Sequence, residues 1–172
     1  MPTAAGNNAT TNQYGRIISV DVGMQYVGLA RTDLLKTVAS PFGTYSPPEA
    51  IKMICRQVEH DNVETIVVGW PLTEEGDEGE ATDMVEAFVE DLPEALREIE
   101  VVRRDERYTS EMAKDLLRRA GVSQPGRYNK GRVDAAAAAV LLRDYLDSDH
   151  LCLVEWPERG SGVLPPADLI IT

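Results

Sequence analysis

A chain of 172 residues, 43% of them hydrophobic, has the length of one domain and enough apolar content for a core, which excludes wholesale disorder. Nothing in it approaches the roughly 18 consecutive apolar residues of a membrane-spanning helix, the start MPTAAGNNATTNQ lacks a signal-peptide pattern, and Cys55 and Cys152 lack CxxC spacing, so a reducing cytoplasm is expected rather than a membrane, a disulfide scaffold or a zinc knuckle. The 17 Lys and Arg against 29 Asp and Glu give a net charge of -12, which taken whole argues against a nucleic-acid partner.

Residues 1–13 carry Ala, Asn, Thr and Gly without periodicity and read as a tail. RIISVDVG (16–23) is β-branched and bounded by a glycine, the pattern of a buried strand. After a turn of two or three residues, YVGLARTD (26–33) reads as its antiparallel partner, and TVASPFGTY (37–45) as a third strand placed at a sheet edge by Pro41. PPEAIKMICRQVEH (47–60) has its prolines at a helix start and sets Ile51, Ile54, Cys55 and Val58 on one face. ETIVVGWP (64–71) is a second buried strand. A loop rich in Gly and acid follows, then a helix through Met84, Val85, Phe88, Val89 and Leu92. IEVVRRDER (99–107) reads as a third buried strand ending in charge. TSEMAKDLLRRAG (109–121) is a helix between a capping Thr109 or Ser110 and Gly121, SQPGRYNKG (123–131) a loop, and RVDAAAAAVLLRDYLD (132–147) an alanine-rich helix suited to close packing. The order predicts an α/β fold, a mixed sheet with helices on both faces, over residues 14–150, followed by a C-terminal extension at 151–172.

The charge is unevenly spread. Residues 97–143 hold 11 basic and 7 acidic side chains, whereas 1–96 hold 5 and 16 and 144–172 hold 1 and 6. A phosphate-binding surface therefore has one place to lie. The acidic remainder, with 13 Arg to 4 Lys, suits a salty cytoplasm, codon bias being the plainer account of the Arg excess.

Several carboxylates stand where packing alone would not put them. Asp21 interrupts an apolar strand, Asp105 and Glu106 end another, and Asp134 opens the alanine-rich helix on the face it shares with Ala138, Leu141 and Tyr145. Plainer roles exist for each: a turn former for Asp21, surface pairing with Arg103, Arg104 or Arg107 for Asp105 and Glu106, and a helix-dipole partner for Asp134. Taken together they describe one acidic cluster at the C-terminal ends of neighbouring strands, where α/β sheets place ligands. An all-oxygen cluster suits Mg²⁺ or Mn²⁺, and two such ions about 3.5–4 Å apart activate water and stabilise the leaving oxygen of a phosphodiester.

At these residues the sequence resembles the YqgF family of RuvC-like nucleases. Four motifs match in order: SVDVGMQYVGLA (19–30), VVGWPLTEEGDEGE (67–80), RRDERYTSEMA (103–113) and NKGRVDAAAAAVLLRDYL (129–146). The resemblance implies an RNase H-like fold with a five-stranded mixed sheet, and metal-binding or catalytic roles for Asp21, Glu106 and Asp134, with Asp105 as a substitute. It implies phosphate contacts at Arg107 and Lys130 and close backbone approach at Gly131; a partner of Glu111 and a loop charge are the plainer readings of the two cations. The family's pattern has Thr and a basic residue where Met24 and Gln25 stand, which weakens the expected hold on substrate. The acidic loop 74–80 lacks the alternation of an EF-hand and reads as a solvated, mobile flank of the site. Trp70 packs beneath it or stacks on a base, with packing the stronger reading, and His60 and His150 carry no assigned chemistry.

The resemblance further implies a divalent-metal-dependent nuclease acting on structured nucleic acid, processing the 5′ end of pre-16S rRNA, with a Holliday junction resolvase as the alternative and a homodimer left open. An actin-like or sugar-kinase ATPase needs a second lobe for which the chain is too short. A non-catalytic binding module would be expected to lack the carboxylates.

Overall fold

The structure, a computed structural model, describes residues 14–107, 109–122, 130–146 and 153–154. The expected N-terminal tail, the loop 123–129 and most of the expected C-terminal extension, with Cys152, His150 and Trp156, lie outside the described residues. Strands β1 (Arg16–Val22), β2 (Val27–Thr32) and β3 (Val38–Tyr45) form the antiparallel meander, with four residues rather than two or three between β1 and β2. Helix α1 (Pro47–His60), β4 (Val63–Trp70), α2 (Glu80–Glu90), β5 (Glu100–Asp105), α3 (Thr109–Arg119) and α4 (Lys130–Tyr145) follow. β4 runs parallel to β1 and β5 parallel to β4, giving the order β5-β4-β1-β2-β3. These five strands are the mixed sheet that the RNase H-like resemblance implies. A two-residue strand β6 (Leu153–Val154) joins β3 at Val38 and Ala39, clear of Pro41.

Two cores cover the sheet, one on each face. Ile18, Val20 and Val22 of β1 point with Ile66 and Val68 of β4 into a core closed by Ile54 of α1 and Phe88 of α2. α1 starts where Pro47 and Pro48 follow Ser46, whose backbone N–H and hydroxyl donate to the Glu49 carboxylate at 3.2 and 2.6 Å. Ile17, Ala30 and Val67 point the other way, against α3 and α4. Alanines 135–139 of α4 are all buried, so this helix is enclosed around much of its circumference and lies unusually close to the sheet. The Ser19 hydroxyl donates to the Ala138 carbonyl and the Thr44 hydroxyl to the Gly131 carbonyl, fastening α4 to β1 and β3.

Two expectations are corrected here. β5 is not a buried strand: it is the outermost strand at its end of the sheet, and its residues run from half-buried to exposed. Its apolar start, Val101 and Val102, gives way to Arg103, Arg104 and Asp105, which a central strand could not accommodate. The loop expected over 123–131 also ends earlier, because Lys130 and Gly131 belong to the first turn of α4. Asp134 consequently sits in the second turn rather than at the helix opening.

Candidate active site

The C-terminal ends of β1, β4 and β5 point the same way, and α4 crosses the sheet face beside them. Asp21 lies near the end of β1 on the α4 face, two residues beyond Ser19. Glu106 follows β5 directly. Its backbone N–H donates to the Trp70 carbonyl at 3.2 Å and its own carbonyl accepts from the Thr109 N–H at 3.0 Å, so it is held between the end of β4 and the start of α3.

Two glycines admit the other carboxylates to Asp21. Gly28 is Asp21's register partner on β2, and a Cβ there would stand 2.1 Å from the Asp134 carbonyl oxygen. Only a residue without a side chain lets the α4 backbone descend that far. Gly69 lies on the other side, on β4, where a Cβ would stand 1.9 Å from Glu106 Oε2. The space a side chain would fill over β4 is thus occupied by the Glu106 carboxylate. Glycine within a strand often marks such an approach.

The result is a half-buried pair of neighbouring acids. Asp21 and Glu106 lie close enough for each to act on the other's titration. Burial pushes Glu106 up to about 9, with the Asp21 charge, a hydrogen bond to Asp21 and the Asp105 charge adding to it. Burial raises Asp21 to about 6; its hydrogen bond with Glu106 opposes the rise and the Asp134 charge supports it. The two titrate as a unit. Glu106 Oε2 is shut off from solvent and meets no hydrogen-bond donor among the described residues.

Asp105 does not join them. Its carboxylate accepts from the Arg107 backbone N–H at 3.0 Å and from the guanidinium at 2.6–3.1 Å. That clamp holds its pKa below the ordinary carboxylate value on an exposed surface. Arg107 also donates to the Glu74 carbonyl at 3.4 Å, tying the acidic loop to the site's rim. The loop is exposed but folded: the Thr73 N–H donates to the Asp77 carbonyl at 2.9 Å, and the Trp70 indole N–H donates to Glu78 at 3.1 Å. Trp70 is half-buried against the α1/α2 core, which favours packing beneath the loop. Met24 and Gln25 sit exposed in the β1–β2 turn, three and four residues past Asp21. Gly131 lies one turn before Asp134, and the Lys130 side chain lies outside the described residues.

The donor chemistry fits a hard divalent cation: the carboxyl groups of Asp21 and Glu106, with Asp134 close enough for its charge to act on Asp21, and one sealed oxygen without a donor. As they stand, no three acidic, His or Cys side chains among the described residues form a ready-made metal cage.

Half-buried carboxylates at the ends of neighbouring parallel strands, under a crossing helix in a sheet of this order, define an RNase H-like protein of the RuvC-like class. The family model described as "RuvX: Holliday junction resolvase" matches residues 15–148, and the chain belongs to that family. A curated relative from Salinibacter ruber, named "Putative pre-16S rRNA nuclease", is 58% identical over 81% of this chain and 97% of its own length. A protein of the same name from Chlorobium phaeobacteroides is 38% identical over 77% of this chain and 92% of its own. Among solved structures, T. thermophilus RuvC in complex with Holliday junction substrate aligns over 77% of this chain and 96% of that one. Its TM-score of 0.49 and 12% identity are too low to bear on substrate.

Proposed function

We propose that this chain is a divalent-metal-dependent nuclease that hydrolyses phosphodiester bonds in structured nucleic acid, and that its substrate is the 5′ end of pre-16S rRNA. The observation that carries the reading is the Asp21–Glu106 pair: two half-buried carboxyl groups side by side, one sealed oxygen without a donor, in reach of the Asp134 charge. Such an arrangement costs stability unless a cation is its working partner. Asp21, Glu106 and Asp134 would hold Mg²⁺ or Mn²⁺, two ions in the full site. When bound, the cations would supply an activated water and charge stabilisation for the leaving oxygen.

The chain's own groups prepare that site. Glu106 gives up its proton on loading, Gly28 and Gly69 keep the three carboxylates converged, and α4 covers them from one side. Arg107 at the rim exchanges Asp105 for a substrate phosphate. Lys130 and Gly131, in the first turn of α4, offer a cation and the positive end of the helix dipole. The names of the curated relatives favour the rRNA substrate. The description of the family model favours a four-way DNA junction as the second reading.

The test is cleavage by the purified protein of a pre-16S rRNA 5′ fragment and of a four-way DNA junction, each with Mg²⁺ or Mn²⁺. Cutting of the first and not the second is expected, and cutting of neither refutes the nuclease reading. Asp21→Asn should abolish cleavage while leaving nucleic-acid binding intact; undiminished cleavage removes Asp21 from the site.

A further inference from the structure

Beyond the carboxylates, the exposed edge of β5 bears a basin of about 640 Å³ lined by Arg103, Arg104, Asp105, Arg107 and Asp144. Strand geometry divides its arginines between the two faces of the sheet. Arg104 is the register partner of Gly69, and Gly69 lies level with Asp21, one residue beyond the Val20–Val68 pair. Asp21, Gly69 and Arg104 therefore form a row across three strands on the α4 face. About 9.6 Å separates the backbones of the outer two at ordinary strand spacing, with the Glu106 carboxylate over the glycine between them.

Arg103, the partner of Val68, emerges on the opposite face. Its guanidinium lies 5.0 Å over the Trp70 ring and bonds Glu86 of α2. Arg104 is held by Asp144 of α4, at 2.8 Å to the carboxylate and 3.2 Å to the carbonyl. Both pairs are exposed, with side-chain accessibilities of 42–58%, and exposed ion pairs are weak and readily exchanged. Among the described residues, the β5 edge beside the site presents cations on both of its faces.

We propose that the β5 edge is a second phosphate-binding station, in which Arg104 takes a backbone phosphate next to the one being cut and Arg103, braced on Trp70, takes one further along. This rests on the nuclease reading and adds to it the path of the substrate strand. Both arginines leave their carboxylate partners for phosphates, so the station adds to binding and leaves the chemical step alone.

The test compares the full chain with its Arg103→Ala/Arg104→Ala variant on the rRNA fragment and the four-way junction, measuring affinity against KCl as well as kcat and KM. Loss of two phosphate contacts should flatten the slope of log K against log[KCl] by about 1.4 to 1.8. KM should rise about tenfold with kcat within about twofold, the signature of lost uniform binding. Arg103→Lys/Arg104→Lys should restore the slope, since lysine also binds phosphate as a point charge. Arg118→Ala/Arg119→Ala, which removes two exposed arginines paired with Asp115 on α3, should leave both readouts at wild type. An unchanged slope and KM in a chain that still cuts overturns the station alone. So does a loss matched by the α3 control, which would mean net charge and not position. If the wild-type chain cuts neither substrate, the nuclease reading falls and the station with it.

Discussion

Gly28→Ala and Gly69→Ala separate what the fold needs from what the site needs, although both add one methyl beside Asp21. At Gly28 the new Cβ would meet the Asp134 carbonyl oxygen at 2.1 Å, the Asp134 carbonyl carbon at 2.3 Å and the Ala135 nitrogen at 2.9 Å. These are backbone atoms of a helix fastened to the sheet on either side, through Gly131 to Thr44 and through Ala138 to Ser19. Reaching the 3.4 Å of ordinary contact requires α4 to retreat by about 1.3 Å, which opens the alanine layer along its length. Overpacking typically costs about 1–3 kcal/mol, and a rigid helix backbone belongs at the upper end, about 3 kcal/mol. For a domain of this size that lowers the melting temperature by about 6–12 °C.

At Gly69 the obstacle is the tip of one side chain. Glu106 Oε2 lies 1.9 Å from the added Cβ and must swing by about 1.5 Å to escape. The swing lets a half-buried carboxyl group out towards water, so stability should change by under about 1 kcal/mol. Cleavage should nonetheless fall by about 100-fold, the cost of misplacing a reacting group by about 1 Å. Thermal melts followed by circular dichroism, with cleavage assays on the same preparations, give both readouts. The reasoning is refuted if Gly28→Ala melts with the wild type, or if Gly69→Ala destabilises as much as Gly28→Ala.

The acid pair also sets a pH dependence. Glu106 rises from an ordinary 4.5 to about 9 and Asp21 from 3.8 to about 6, so between pH 5 and 9 the unfolded chain holds fewer protons than the folded one. Without metal the fold therefore loses stability as pH climbs through that window, and melting in EDTA should show a falling temperature that Glu106→Gln flattens and raises at pH 8. Asp105→Asn should keep cleavage within about fivefold of wild type while Glu106→Gln loses about 100-fold or more; equal losses would put Asp105 inside the site. With 29 acidic against 17 basic residues, added KCl should raise the melting temperature by screening self-repulsion, and a flat or falling trend would sink the salt-adaptation reading.

Much of the fold was legible because its central elements are locally consistent. RIISVDV and VETIVVGW are apolar enough for strands covered on both faces, and the five alanines of α4 favour helix wherever they pack. β5 was misread because Val101 and Val102 resemble a buried strand, and only the sheet order puts Arg103 and Arg104 at an edge. The start of α4 was missed because Lys130–Gly131 has the local preference of a loop, a weak signal that docking of the Gly131 carbonyl on Thr44 overrides. Asp21 and Asp134 stand out in the sequence as charges in apolar surroundings, and Glu106 as a charge at a strand end. The preference for Glu106 over Asp105 came only from the family resemblance, since consecutive residues at a strand end look alike until one is seen clamped by Arg107. Strand alternation held the clue: Asp105 shares the face of Arg103, opposite to the face of Asp21. The glycines that admit Glu106 and Asp134 could not be read as such. Their necessity is a distance between elements far apart in sequence.

The acidic excess acquires a different meaning once its positions are known. Every arginine of the β5 basin already faces a carboxylate: Arg103 faces Glu86, Arg104 faces Asp144 and Arg107 faces Asp105. A single monovalent anion gains little by displacing any one of these, because it trades one exposed pair for another of similar strength. A nucleic-acid strand displaces several at once, and the counterions it releases add to the gain at each phosphate. If the β5 edge takes phosphates as proposed, the carboxylates beside the arginines would act as a threshold. At the proposed station they would keep a basic surface quiet towards small anions and open it to a polymer of phosphates.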